Sequence, residues 1–81
     1  MKLYVKVWCP WCVEAIGWLK SRGYHYEQID VLADKAAFDR MIAISGQRKT
    51  PTLELDSGDV LPDFDVRQLE KFLGAHNIQA G

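Results

Sequence analysis

Leu3-Tyr4-Val5-Lys6-Val7-Trp8-Cys9-Pro10-Trp11-Cys12 is the stretch from which the fold of this chain can be read. Leu3 to Val7 is a short run of apolar and β-branched residues, which predicts a strand buried over most of its surface. Pro10 suits the first turn of a helix, because its missing N–H is one that the turn leaves unpaired anyway. Cys12, Ala15, Ile16 and Leu19 then recur at helical spacing, and Gly23 supplies a stop. Both cysteines therefore sit where a strand hands over to a helix. Unpaired backbone N–H groups and the helix dipole favour negative charge there. A thiol so placed can fall from about 8.5 into the range of roughly 3.5–7.5. The thiolate is the species that attacks disulfides. Cys9 is thus the expected nucleophile, held ionised within reach of solvent. Cys12, one turn further in and more buried, is the expected resolving thiol.

Working outward, Tyr24 to Val31 reads as a second strand. Asp34 is a plausible N-cap for a second helix, with Phe38, Met41, Ile42 and Ser45 on one face and Gly46 closing it. Thr52 to Leu55, directly after Pro51, reads as a third strand. Ser57 and Gly58 supply turn chemistry, which makes Val60-Leu61 a hairpin partner. Asp65 and Gln68 have capping-box spacing and start a last helix that buries Val66, Leu69, Phe72 and Leu73. Gly74 is its expected end, and the tail to Gly81 is expected to fray. The order β-α-β-α-β-β-α predicts an α/β fold: a four-stranded mixed sheet with helices on both faces, a parallel β-α-β unit and a hairpin. Helical and strand residues are expected to be roughly balanced.

Composition narrows the function classes. Eighty-one residues make one domain, residues 1–81, and 48% hydrophobic residues suffice for a sheet with helices packed on it. Ten Lys and Arg stand against eleven Asp and Glu. With no basic patch or charged tail, neither nucleic acid nor an anionic membrane is an expected partner. No apolar segment long enough for a signal or a membrane span is present, so a cytoplasmic location is expected. Two cysteines are too few for a disulfide scaffold, and a reducing compartment would not maintain one. Zinc is the competing reading: Cys9 and Cys12 followed by His25 imitate the start of a zinc finger. The fourth ligand should lie about four to six residues beyond His25. None does, because the other histidine is His76. No metal is expected. Two inert core cysteines are the bland reading, and the strand–helix junction argues against it. His25 and His76 read as isolated surface residues, and Tyr4, Tyr24 and Tyr26 as strand formers without a special role.

With these motifs in view, the chain resembles the glutaredoxin family of thioredoxin-fold dithiol oxidoreductases. The likeness rests on Cys9-Pro10-Trp11-Cys12, on Ser45-Gly46-Gln47-Arg48-Lys49-Thr50-Pro51, and on the acidic Asp63-Phe64-Asp65 before the last helix. It implies reduction of protein or glutathione mixed disulfides, with glutathione as the reductant and no bound cofactor. It also implies a cis peptide between Thr50 and Pro51 facing the sulfurs, with the Thr50 backbone free to pair with an extended substrate. Carried over by position, the residues that would bind glutathione or a protein disulfide are Lys6, Trp11, Thr50, Pro51 and Asp65. Trp8 would shield one side of the site, and Arg48 would be a solvated loop residue or a contact for a ligand carboxylate.

The chain departs from the family's pattern in ways that bear on glutathione. Many members carry Gly-Gly-x-Asp-Asp where this one has Leu61-Pro62-Asp63-Phe64-Asp65. Phe38 falls where an Arg or Gln often reaches for a glutathione carboxylate, and Lys49 stands at a usual threonine. A flavoprotein thioredoxin reductase is therefore the alternative electron donor. Some glutaredoxins instead carry a glutathione-bridged iron–sulfur cluster between two protomers. The rigid Pro10 disfavours that here, and a monomer is expected.

Overall fold

A computed structural model describes residues 1–80. Four strands, β1 (Lys2–Val5), β2 (Glu27–Asp30), β3 (Thr52–Glu54) and β4 (Val60–Pro62), form one sheet in the order β2-β1-β3-β4. β1 and β2 run parallel, Lys2 opposite Glu27 and Val5 opposite Asp30. β3 lies antiparallel to β1, and β4 closes a hairpin on β3 with Thr52 opposite Pro62. The helices are α1 (Pro10–Ser21), α2 (Lys35–Ser45) and α3 (Val66–Ala75). The predicted element order and mixed sheet are both present.

Alternation along the strands divides the core. Leu3 and Val5 of β1 and Leu53 of β3 point to one face, where Cys12, Ala15 and Leu19 of α1 and Leu69 and Leu73 of α3 cover them. Tyr4 points to the other face, against Met41 of α2 and Val31. Helices therefore lie on both faces of the sheet. Among the described residues, no helix is long and apolar enough to cross a membrane.

Several boundaries differ from expectation for identifiable reasons. β1 ends at Val5, the last residue of its ladder with β2 and one beyond the end of its ladder with β3 at Tyr4, and the Cys9 N–H closes a turn onto the Lys6 carbonyl at 3.0 Å. Val7 and Trp8 are consequently exposed. β2 begins at Glu27 and not Tyr24, because Tyr24 is used to close α1. Its N–H bonds the Leu19 carbonyl and its ring stacks on Trp18 at 5.7 Å. α3 runs through Gly74 to Ala75, since Asn77 takes the left-handed conformation that ends it. The Ile78 N–H then bonds the Leu73 carbonyl at 2.9 Å and the Ile78 side chain joins the core, so the tail is docked that far. Gly81 lies outside the described residues. Helix and strand are not balanced: helices of twelve, eleven and ten residues face strands of four, four, three and three.

On the α2 face buried Tyr4 and Glu54 form an ionic cluster with the half-exposed Arg40, which no local sequence pattern marks. The Tyr4 hydroxyl, on a residue 1% exposed, donates to Glu54 Oε1 at 2.7 Å, and Arg40 pairs with Glu54 Oε2 at 2.7 Å. Tyr4 is thus more than a strand former. The Arg40 guanidinium beside Glu54 holds its carboxyl below the usual range, opposing the effect of burial.

Candidate active site

Cys9 is the N-cap of α1 and Pro10 occupies the first helical position. Cys9 keeps extended backbone angles, so its sulfur meets the open end of the helix, where the first N–H groups lack intrahelical partners. Cys12 lies one turn inside, fully buried. Both are free thiols. The peptide between Thr50 and Pro51 is cis, and the Cys9 Sγ lies 3.7 Å from the Thr50 carbonyl oxygen, to which its thiol can donate.

The two sulfurs differ in acidity. Burial alone would push Cys9 up. The Cys12 thiol, the backbone N–H groups of Cys12 and Trp11 and the Thr50 hydroxyl, all able to donate to a Cys9 thiolate, outweigh it and hold Cys9 below an ordinary cysteine. For Cys12 burial dominates and raises the thiol. The negative charge of Cys9 adds to that, and contacts from Thr50 and the Lys6 backbone offset it only in part. One expectation needs correction: Cys9 is only 7% exposed. The cis-proline loop covers it, so the sulfur is reached through a groove and does not stand open to solvent.

That groove, of about 430 Å³, is lined by Lys6, Trp8, Cys9, Trp11, Lys49, Thr50 and Asp63. It brings Lys6, Trp11 and Thr50 to the nucleophile, with Pro51 buried behind. Trp8 and Trp11 are 68% and 57% exposed and form an apolar rim. Asp65 lies outside the groove, in an adjoining hollow of about 170 Å³ shared with Trp11, Asp63, Phe64 and Gln68. Its carboxylate caps α3 by accepting from the Gln68 N–H at 2.8 Å, and the Gln68 side chain accepts from the Asp65 N–H. Lys6 is engaged by the protein itself. Its Nζ donates to the Arg48 carbonyl at 3.3 Å and lies 5.9 Å from the Trp8 ring and 5.5 Å from the Phe38 ring.

Sequence reasoning gave no role to Gln47, which organises the loop beside Cys9. Its amide nitrogen bonds Ser45 Oγ, the Lys49 carbonyl and Thr52 Oγ1, while its oxygen accepts from the Lys49 N–H. It ties the end of α2 to the start of β3 across Thr50. No periodicity marks such a residue; a polar side chain just after the left-handed Gly46 is the available signal. His76, expected to be isolated, has partners. Its ring packs on Phe72 and reaches the Phe72 carbonyl and Asp59 at 2.9 and 3.5 Å. A hollow of about 380 Å³ that includes His25 and His76 contains neither cysteine. Among the described residues, no group of three or more His, Cys, Asp or Glu side chains is placed to hold a metal ion.

The family model for glutaredoxins matches residues 1–60, from β1 through the cysteines and the cis-proline loop to the start of β4. The chain belongs to the glutaredoxin family. A glutaredoxin-like 8.6 kDa protein encoded in the rubredoxin operon of Clostridium pasteurianum, itself uncharacterized, is 26% identical over 73 residues. The match covers 90% of this chain and 96% of that protein. Among solved structures, the thioredoxin-like protein BC3987 is 33% identical, with a TM-score of 0.79 over 89% of this chain and 97% of that one. A mutant of the same protein superimposes equally well. Family and fold together support a redox role with thiol or disulfide partners for this glutaredoxin-family chain.

Proposed function

We propose that the chain is a thiol–disulfide oxidoreductase that reduces protein disulfides and glutathione mixed disulfides through Cys9 and Cys12, with glutathione supplying the electrons. The observation that carries this reading is the placing of two free thiols one helical turn apart, Cys9 at the N-cap of α1 beside the cis Thr50–Pro51 peptide and Cys12 buried behind it, a placing that favours a lowered Cys9 and a raised Cys12. In the cycle, the Cys9 thiolate attacks one sulfur of the substrate disulfide. A bond forms between Cys9 and that sulfur, and the substrate S–S bond breaks. Its electron pair leaves on the second sulfur, which takes a proton from solvent. Cys12 then loses its proton and attacks the Cys9 sulfur, releasing the first substrate sulfur as a thiol. The substrate has gained two electrons and the protein holds a Cys9–Cys12 disulfide. Two glutathione molecules return it to the dithiol and leave as glutathione disulfide. Where the substrate is itself a glutathione mixed disulfide, a second glutathione can clear Cys9 without Cys12.

In this scheme Trp11 flanks the bound tripeptide, and the Thr50 backbone beside cis Pro51 pairs with it. Lys6 meets a carboxylate, and Asp65 meets the ammonium from the adjoining hollow. The occupied state of Lys6 favours a second reading, in which a flavoprotein reductase docks on the exposed Trp8 and Trp11 at the groove's rim and delivers electrons there. A coupled NADPH assay separates the two. Turnover with glutathione and glutathione reductase supports the first; turnover with thioredoxin reductase alone overturns glutathione as donor. Cys9→Ser should abolish thiol transfer, whereas Cys12→Ser should keep reduction of glutathione mixed disulfides and lose that of protein disulfides. Full activity in Cys9→Ser refutes the assignment.

A further inference from the structure

Three charged side chains face the groove over Cys9: Lys6, Lys49 and Asp63. Lys6 is held by the Arg48 carbonyl and by two rings, as described. Lys49 is held by Asp63, with Nζ 3.8 Å from Oδ2. The hairpin fixes this meeting. Thr52 lies opposite Pro62 in the last pair of the ladder, so Lys49, just before the cis-proline turn, and Asp63, just after β4, emerge side by side at its open end. Asp63 is also placed deliberately by the backbone: its φ is +47°, in the left-handed region that non-glycine residues rarely occupy. Both side chains remain substantially exposed, at 75% and 49%. Such a pair is weak, and one partner can be exchanged for an incoming ion.

We propose that Asp63 is a specificity-determining residue: by pairing with Lys49 it covers one of the groove's two lysines with the protein's own carboxylate. Exchange at Cys9 is thereby biased against disulfides that carry a carboxylate near the sulfur, and toward neutral and cationic ones. An anionic substrate must displace Asp63 from Lys49 and then lie beside the displaced charge. A neutral substrate pays neither cost, and a cationic one gains from the acidic wall. Glutathione mixed disulfides, which carry carboxylates, would then be handled below the capacity of the groove. The inference rests on Cys9 being the nucleophile.

The test uses the fully reduced chain and three small symmetrical disulfides: dithiodipropionate, an anion; hydroxyethyl disulfide, neutral; and cystamine, a cation. Second-order rates of oxidation are followed by tryptophan fluorescence in wild type, Asp63→Asn, Lys49→Met and the double variant. Rates are expressed relative to the neutral disulfide, which cancels any change in the intrinsic reactivity of Cys9. Asp63→Asn should raise the anion-to-neutral ratio about three- to eight-fold, the effect of one unit charge about 7 Å away in a dielectric between about 80 and 40. Lys49→Met should lower it by a similar factor, and the double variant should return to within about two-fold of wild type. High salt should shrink all these differences. Glu27→Gln, the same charge change at the far end of the sheet, should leave the ratio unmoved. A ratio unchanged in Asp63→Asn while all three disulfides are reduced, or a double variant that fails to return, overturns the proposal. A wild type that reduces none of them overturns instead the reading of Cys9.

Discussion

Replacing Thr50 by valine removes one hydroxyl from the shell of the Cys9 sulfur and nearly conserves volume. Thr50 is only 6% exposed, so water cannot easily take its place. A hydrogen bond to a charged group is worth about 1.5–3 kcal/mol, and one pKa unit corresponds to about 1.4 kcal/mol. Three other donors remain around the sulfur, the N–H groups of residue 12 and Trp11 and the side chain of residue 12 (a thiol, or the hydroxyl of the Cys12→Ser background used below), and they can tighten when one leaves. The expected rise in the Cys9 pKa is therefore about one unit, the lower end of that range. The measurement is thiolate ultraviolet absorbance and alkylation rate against pH, made in a Cys12→Ser background so that one sulfur titrates. Below the Cys9 pKa the variant should react more slowly, because less of it is ionised. Above both pKa values the order should invert. Nucleophilicity rises with basicity with a slope of about 0.4–0.5, so one unit makes the variant's thiolate about three-fold faster. This crossing is the decisive feature. An unchanged titration would refute the role of the hydroxyl, and a uniform slowing at every pH would mean that valine had closed the groove instead.

Two further substitutions separate stability from chemistry. Glu54→Gln keeps the shape of the cluster but turns the Tyr4 hydrogen bond from a charged acceptor to a neutral one, a loss of about 1 kcal/mol and about 4–8 °C in Tm at neutral pH for a domain of this size. Because Arg40 holds the folded Glu54 carboxyl below its usual range, that stabilisation is fully present above the unfolded value of about 4.3 and is lost as pH falls through the folded one. Wild type and variant should converge in acid thermal melts, and a difference constant from pH 7 to pH 3 would count against the ion pair. Asp65→Ala removes the α3 cap, at about 1 kcal/mol and about 4–8 °C, while oxidation by a neutral disulfide keeps its rate. A selective fall with glutathione disulfide would show that Asp65 also meets ligand.

The parts of this molecule legible in the sequence are those encoded locally. Apolar spacing from Cys12 to Leu19 marks α1, and Asp65 and Gln68 mark the start of α3. What escaped is set by partners distant in the chain. Val7 reads as well as Val5 for a strand, yet β1 stops where its ladder with β2 stops. Tyr4 and Glu54 are 50 residues apart and Lys6 and the Arg48 carbonyl 42, and no pattern in a single sequence says which side chains meet at such separations. Lys6, Trp11 and Thr50 line the groove at Cys9. Asp65 was placed there by likeness, while the capping box, a local signal, describes what it is bonded to.

The low exposure of Cys9 and its lowered pKa belong together. A sulfur open to water would owe its ionisation to solvent and would react with any disulfide that reached it. A sulfur covered by the Thr50 loop loses most of that solvation, and its charge survives because fixed donors from the first turn of α1 and from Thr50 replace the water. Under that cover Cys9 lines a groove where Trp8 and Trp11 stand on the rim and Lys49 and Asp63 meet. The loop that makes the thiolate stable without water is therefore the same loop that decides what may reach it. Changes to the groove's charges should alter the choice of substrate while leaving the intrinsic reactivity of Cys9 nearly constant, and changes to Thr50 should do the reverse.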